Sequence, residues 1–273
     1  MKQSITVIII FILLIFGYFQ FLSPYIDKSE TESVVSSGMK FYSEYEVTFL
    51  PIDSYFLYKE ILQHPQIVPL PTTSPSENAY AANPFIRLLG KQNYLTDVDF
   101  VRSDNSYTIN PKYKSSLVDP WDSILLKALY CDKTSYDDKD FSILQTLNHN
   151  DGSYWDTHFL LALLFLKNNG CYDSTKIENS IQKVSNTIIA KEAIDTSFSD
   201  LYAERIAVLY WAGYGKNIQK QWIEKIKDSL TTDPGWRIDN SYAYTDSNSH
   251  TTGLAILSLI YYIEAKPEQS FYQ

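Results

Sequence analysis

Two histidines at the start of nearly all-apolar segments are the candidates for acid–base chemistry. His158 and His250 each fall in the first turn or so of such a segment. An imidazole titrates near neutrality, so it can exchange a proton with a carboxylate or bind a metal ion. The nearby carboxylates are Asp151, Asp156 and Asp246. The catalytic candidates are therefore Asp156, His158, Asp246 and His250. Alternatively, His158 is a satisfied core residue and His250 only begins a helix, whose N-terminus favours neutral imidazole.

A second candidate set combines carboxylates with aromatic rings, as sugar-binding clefts do. Residues 235–248 form a long connection, and long loops often carry function. A pair of carboxylates there could cut a glycosidic bond. Alternatively, the Asp-Gly and Asp-Pro-Gly sequences are turns and the tryptophans fill the core. The binding candidates are Asp151, Trp155, Trp236, Tyr242 and Tyr244.

The sequence carries no signature of a metal or cofactor site. The acidic run at 137–140 is interpreted as the cap of the helix that follows it. Phosphate-binding loops, dinucleotide-binding glycine motifs, zinc-protease motifs and nucleophile-elbow motifs are all missing. No metal and no cofactor are therefore expected. Cys131 and Cys171 each follow an apolar segment, and they form either a disulfide or two buried thiols.

An internal repeat positions these residues. Residues 121–129 and 155–163 align without a gap as W-D-[ST]-x-[LF]-L-x-A-L, and weaker copies follow at 201–209 and 250–257. More charged, amphipathic stretches lie between and after the copies, at 138–148, 175–193 and 217–230. Alternation of apolar and amphipathic helices is typical of stacked helical hairpins, in which inner helices are buried and outer helices face water. The fold class predicted is mainly α.

The segment 144–154, LQTLNHNDGSY, precedes an apolar helix, and Asp-Pro-Gly-Trp at 233–236 with TTGLA at 251–255 is a looser second instance. These segments resemble the turns and helices of the α/α-toroid superfamily, which includes terpenoid cyclases and protein prenyltransferase β-subunits. The resemblance covers residues 119–263 and implies a partial α/α toroid, because four hairpins are visible where a closed toroid needs six. Asn148 replaces the usual glutamine. The cyclase D-x-D-D acid and the prenyltransferase zinc residues are missing, so the resemblance implies no activity.

The N-terminal segment is predicted to anchor the chain in a membrane. Residues 5–22 carry no charge and are long enough to span the hydrocarbon core. The positive-inside rule places residues 1–4 in the cytoplasm and the rest outside. A cleaved signal peptide is the alternative, but its small-residue cleavage site is missing. Polar residues 23–38 are predicted to form a flexible stalk.

Residues 39–118 are predicted to form an N-terminal helical and irregular part, and 119–273 the hairpin repeat. In the first part we expect a helix pattern at 39–63 broken near Pro51, a loop at 64–78, a short helix at 79–89 and a hairpin at 98–109. The net charge of −9, without a basic run, argues against nucleic acid as a partner.

Two functions remain open. The first is a membrane-anchored binding or scaffolding module, which predicts an aromatic concave end without converging titratable groups. The second is an extracytoplasmic toroid-type enzyme acting on a glycan or lipid-like substrate, which predicts that Asp156 or Asp246 lies within hydrogen-bond reach of His158 or His250 in a pocket. A protein ligand is also compatible with the first.

Overall fold

The computed structural model describes residues 26–44, 50–68, 80–90, 95–116, 121–239 and 246–264. These ranges are mainly helical, which confirms the predicted class. The helices are α1 (Lys28–Glu44), α2 (Ile52–Ile61), α3 (Asp122–Leu129), α4 (Asp138–Gln145), α5 (Tyr154–Asn169), α6 (Ser174–Glu192), α7 (Asp200–Trp211), α8 (Lys220–Asp228) and α9 (Ser249–Glu264). Short 3₁₀ helices span Pro84–Leu89, Asp97–Asp99, Pro111–Ser116 and Gly215–Asn217.

A single hairpin supplies the strands of the described ranges. Strands β1 (Phe100–Arg102) and β2 (Tyr107–Ile109) pair antiparallel, with Val101 opposite Thr108. The predicted hairpin at 98–109 is therefore confirmed.

Local capping explains the start of α4. The Asp137 side chain accepts the backbone N–H of Lys139 and Asp140, and Asp140 accepts that of Asp137, so the acidic run caps α4 as expected. The S-x-x-D sequence before α5 behaves differently. Ser153 makes no side-chain cap bond, and the Asp156 carboxylate accepts N–H groups of the preceding loop rather than that of Ser153.

Inner and outer helices alternate from α3 onward. Most of α3, α5, α7 and α9 is buried, whereas α4, α6 and α8 bury one face. Each inner helix packs on the next. The four alanines at equivalent places of the repeat are fully buried: Ala128, Ala162, Ala207 and Ala255.

The contacts of the inner elements run in a closed circuit. Helix α9 packs on α2, α2 packs on the Pro84–Leu89 segment, and that segment packs on α3. Six elements thus surround one centre. The sequence repeat accounts for four of them. The short helix expected at 79–89 is seen as the Pro84–Leu89 3₁₀ segment, and α2 corresponds to the helix expected after Pro51.

The stalk prediction is wrong for residues 28–38, which form the first part of α1. Thr31, Val35, Gly38 and Tyr42 follow helical spacing and are all buried, with polar side chains on the other face. A Cβ atom at Gly38 would lie 2.6 Å from the Trp236 ring, so the glycine permits close packing. The helical period escaped detection because a threonine and a glycine occupy two of its core positions.

The predicted membrane anchor at residues 5–22 lies outside the described residues. Among the residues that are described, no helix has the length and apolar character to cross a membrane.

A disulfide joins the ends of two neighbouring inner helices. Cys131 follows α3 and Cys171 follows α5, and their Cα atoms are 5.8 Å apart. The two cysteines therefore form a disulfide rather than two buried thiols.

Candidate functional site

A cavity of about 350 Å³ lies at the centre of the circuit. Every one of the six inner elements contributes to its wall. Five helices of the ring each contribute one ionisable residue to the lining: Asp53, Asp122, His158, Glu204 and His250. Titratable groups distant in sequence therefore meet in one concave site, which is the usual form of an active site.

The cavity has a polar end and an apolar end. Its ionisable residues lie in the first or second turn of their helices, where Asp53 is exposed. Phe165, Val208 and Leu254 lie further along the same helices and are each only 1% exposed. The mouth is consequently at the N-terminal ends of the inner helices.

Asp200 lies one turn before Glu204 on α7 and holds the His250 ring in place. Its carboxylate accepts hydrogen bonds from His250 Nδ1 at 3.0 Å, Thr251 Oγ1 at 2.6 Å and the Tyr154 hydroxyl at 3.0 Å. Burial would raise the pKa of Asp200, but the His250 charge and these three donors hold it below its usual value.

His250 is correspondingly charged. Burial would lower the pKa of its imidazole, but the facing Asp200 carboxylate raises that pKa to about 10. Because Nδ1 is bonded to Asp200, the proton on Nε2 is the one that the ring can offer to a ligand.

Glu204 differs from Asp200, because its pKa is raised rather than lowered. Thr157 Oγ1 donates to its Oε1 at 2.5 Å, and His158 Nδ1 is 3.8 Å from the same oxygen while donating to the Tyr154 carbonyl at 2.6 Å. Burial raises the pKa of Glu204, although His158 and His250 oppose the rise. Two carboxylates one turn apart are thus shifted in opposite directions, the pattern that separates a general acid from an ionised partner.

Of the residues proposed from sequence, His158 and His250 both line the cavity. His158 also packs on Trp121, their ring centroids 4.6 Å apart. Asp156 does not line it: its carboxylate is fully buried and accepts four backbone N–H groups of residues 149–152. Asp246 is exposed and is not among the lining residues.

The predicted aromatic and carboxylate set is not assembled at the cavity. Asp151 is exposed and accepts the Ser153 N–H within its turn, and Trp155 packs edge-on against Trp121. Trp236 is fully buried, its Nε1 donates to the Ile226 carbonyl, and it is not among the residues that line the cavity. Tyr242 and Tyr244 lie outside the described residues.

Sequence reasoning missed the carboxylates that do matter. Asp200 directly precedes the third, weaker repeat copy, and Glu204 lies four residues further on, within that largely apolar copy. Two acids on one face of a buried helix were the available signal. The sequence signal for Asp53 and Asp122 was weaker, because each lies at a helix start, where an aspartate is common for capping alone.

Within the described ranges, no group of three or more His, Cys, Asp or Glu side chains has an arrangement that could hold a metal ion. Comparison with protein-family models, curated proteins and solved structures found no match. The class of the protein is accordingly defined by its own features, a mainly helical fold around a cavity that is lined in part by ionisable residues.

Proposed function

We propose that the protein is an enzyme that hydrolyses a glycosidic bond in its central cavity, with Glu204 as the general acid. The observation that carries this proposal is the convergence of Glu204 with other ionisable side chains on one cavity, where burial also raises the pKa of Glu204. A carboxylic acid kept protonated in a buried site can donate its proton to a leaving group.

The second carboxylate that hydrolysis needs comes from Asp53 or Asp122, which line the same cavity. In the proposed reaction Glu204 gives its proton to the glycosidic oxygen as the C–O bond breaks. Water adds to the anomeric carbon, and Asp53 or Asp122 takes the proton that this water loses. Asp200 is a positioning residue, since it holds the His250 ring.

The binding-module hypothesis expected no converging titratable groups. The convergence of His158, His250 and Glu204 on one cavity favours the enzyme over the module. We also propose that the circuit is a divergent α/α toroid, in which α2 and the Pro84–Leu89 segment occupy the two positions that the repeat does not supply. The closed sequence of helix contacts supports this architecture.

The experiment is a panel of alkyl glycosides assayed with the wild type and with Glu204→Gln, because an alkoxide leaving group needs the proton that Glu204 supplies. We expect the wild type to release the free sugar from at least one glycoside. Glu204→Gln should lower that rate by at least about a hundredfold, the lower range for general acid catalysis, with an unchanged melting temperature. Glu178→Gln, which alters an exposed ion pair with Lys167, is the matched control and should keep full activity.

Two results would overturn the proposal: no release above buffer from any glycoside, or equal rates for the wild type and Glu204→Gln. Retention of a glycan without turnover would instead support the binding module.

We further propose that residues 5–22 anchor the protein with its domain outside the cytoplasm. The apolar segment supports this topology, as does the Cys131–Cys171 disulfide, because such bridges persist in oxidising compartments. Protease added to intact cells should degrade the domain. Survival of the domain in intact cells, with degradation after permeabilisation, would contradict this orientation.

A further inference from the structure

The chemical character of the cavity changes along the axis of the inner helices. On α5, His158 lies near the mouth and Phe165 lies seven residues deeper; on α7, Glu204 and Trp211 have the same relation. At the rise of an α-helix, seven residues correspond to about 10 Å. The cavity therefore combines an ionisable end with an apolar end roughly two helical turns away.

The apolar end is built by several elements. Phe165 on α5, Val208 and Trp211 on α7, and Leu254 on α9 all line it and are at least nine-tenths buried. Water has few polar partners beside such side chains. A hydrocarbon or aromatic group gains free energy there in proportion to the apolar area that it buries.

The polar end favours a head group without net charge. The charged His250 imidazole is a donor, Asp53 and Asp122 offer acceptor oxygens, and Glu204, whose pKa is raised by burial, lies between them on the cavity wall. Donors and acceptors of both kinds suit hydroxyl groups, which donate and accept. A carboxylate or phosphate would face the acids, and an ammonium group would face His250.

We propose that the substrate is an uncharged amphiphile whose hydroxyl-bearing head lies against Glu204 and His250 and whose apolar chain fills the pocket around Phe165, Val208 and Trp211. This inference rests on the proposed function, because it makes the apolar chain the aglycone of the cleaved glycoside. The glycosidic oxygen then joins the two parts at the level of Glu204.

A series of 1-alkanols tests the apolar pocket without requiring catalysis. Binding of 1-butanol, 1-hexanol, 1-octanol and 1-decanol to the full chain is measured by titration calorimetry. We expect the affinity to rise about fourfold for each added methylene until the chain reaches the end of the pocket. Glu204→Gln should leave this dependence unchanged.

Two variants narrow the pocket from different helices. Val208→Phe and Leu161→Phe both place extra carbon atoms in the cavity. Each should abolish the increase in affinity that the longer alkanols show in the wild type. Ile194→Phe is the control, because Ile194 is 72% exposed and lies outside the cavity.

An affinity that is independent of chain length, or an unchanged chain-length dependence in both folded pocket variants, would overturn the inference. If glycosides are hydrolysed but alkanols do not bind, only this inference fails. If alkanols bind as expected but no glycoside is cleaved, the proposed reaction fails and the pocket stands.

Discussion

Asp156→Ala is expected to destabilise the domain by at least about 4 kcal/mol, a loss typical of a disrupted buried network. The Asp156 carboxylate accepts the backbone N–H groups of residues 149–152 at 2.6 to 3.0 Å. Hydrogen bonds to a charged group contribute roughly 1.5–3 kcal/mol each, and donors left unpaired add a desolvation cost. Alanine removes all four bonds together.

The loop itself adds to the expected cost. Asn150 and Gly152 both have a left-handed backbone, with φ of 59° and 71°. Asparagine is less strained there than most residues, but the conformation still needs support from its surroundings. The Asp156 carboxylate is the common acceptor toward which the N–H groups of this loop point. Its removal therefore leaves the left-handed residues of the loop without that support.

Urea unfolding of purified domain measures this prediction. Asp151→Ala is the matched control, since Asp151 is an exposed carboxylate in the same loop, and its effect should stay below about 1 kcal/mol. Asp156→Asn should fall between the two, because the amide keeps one oxygen acceptor. A loss for Asp156→Ala no larger than that for Asp151→Ala would refute the assigned role.

Arg205→Leu is expected to cost about 3–5 kcal/mol, the range for removing one member of a buried ion pair. Arg205 Nε donates to the Gly152 carbonyl at 2.6 Å, and Nη1 reaches Asp195 at 2.8 Å and Glu192 at 3.3 Å. One side chain thus ties α7 to the loop before α5 and to the end of α6.

The control for this prediction uses the unusual state of Glu192. Burial raises the pKa of Glu192 to about 8, although Arg205 opposes the rise. The folded state therefore binds a proton more tightly than the unfolded chain, and the resulting stability is lost as pH rises from about 4.5 to 8. Glu192→Gln should lower the free energy of unfolding only slightly at pH 6, and it should flatten the decline in stability between pH 6 and pH 8. Urea unfolding at pH 6 and at pH 8 measures both effects. An Arg205→Leu variant as stable as Glu192→Gln at pH 6 would contradict the proposed linkage.

The helical part of the fold could be predicted because it depends on local periodicity. Apolar repeats at 121–129 and 155–163 marked inner helices, and both are observed. The first part of helix α1, residues 28–38, could not be recognised, because the small residues Thr31 and Gly38 occupy core positions where an apolar residue would have marked the helical period.

The site was predicted only in part, for a related reason. The helix starts were visible in sequence, so His158 and His250 were found. Which carboxylate faces them depends on how helices pack, and here the partners come from α7 rather than from the neighbouring sequence. Asp156 misled because a carboxylate at a helix start can cap its own helix, face a ligand or, as here, bind a preceding loop.

Helix α9 packs on α1, α2, α7 and α8, so elements from both ends of the described chain meet on it. Domains fold from the N-terminus as the ribosome delivers the chain, and contacts between distant segments form late. The nascent protein can build α1 to α8 beforehand, but it has no sealed interior until α9 has been synthesised. Closure of the cavity thus coincides with the arrival of α9, and a translation product that stops before α9 would expose the faces of α2 and α7 that α9 covers.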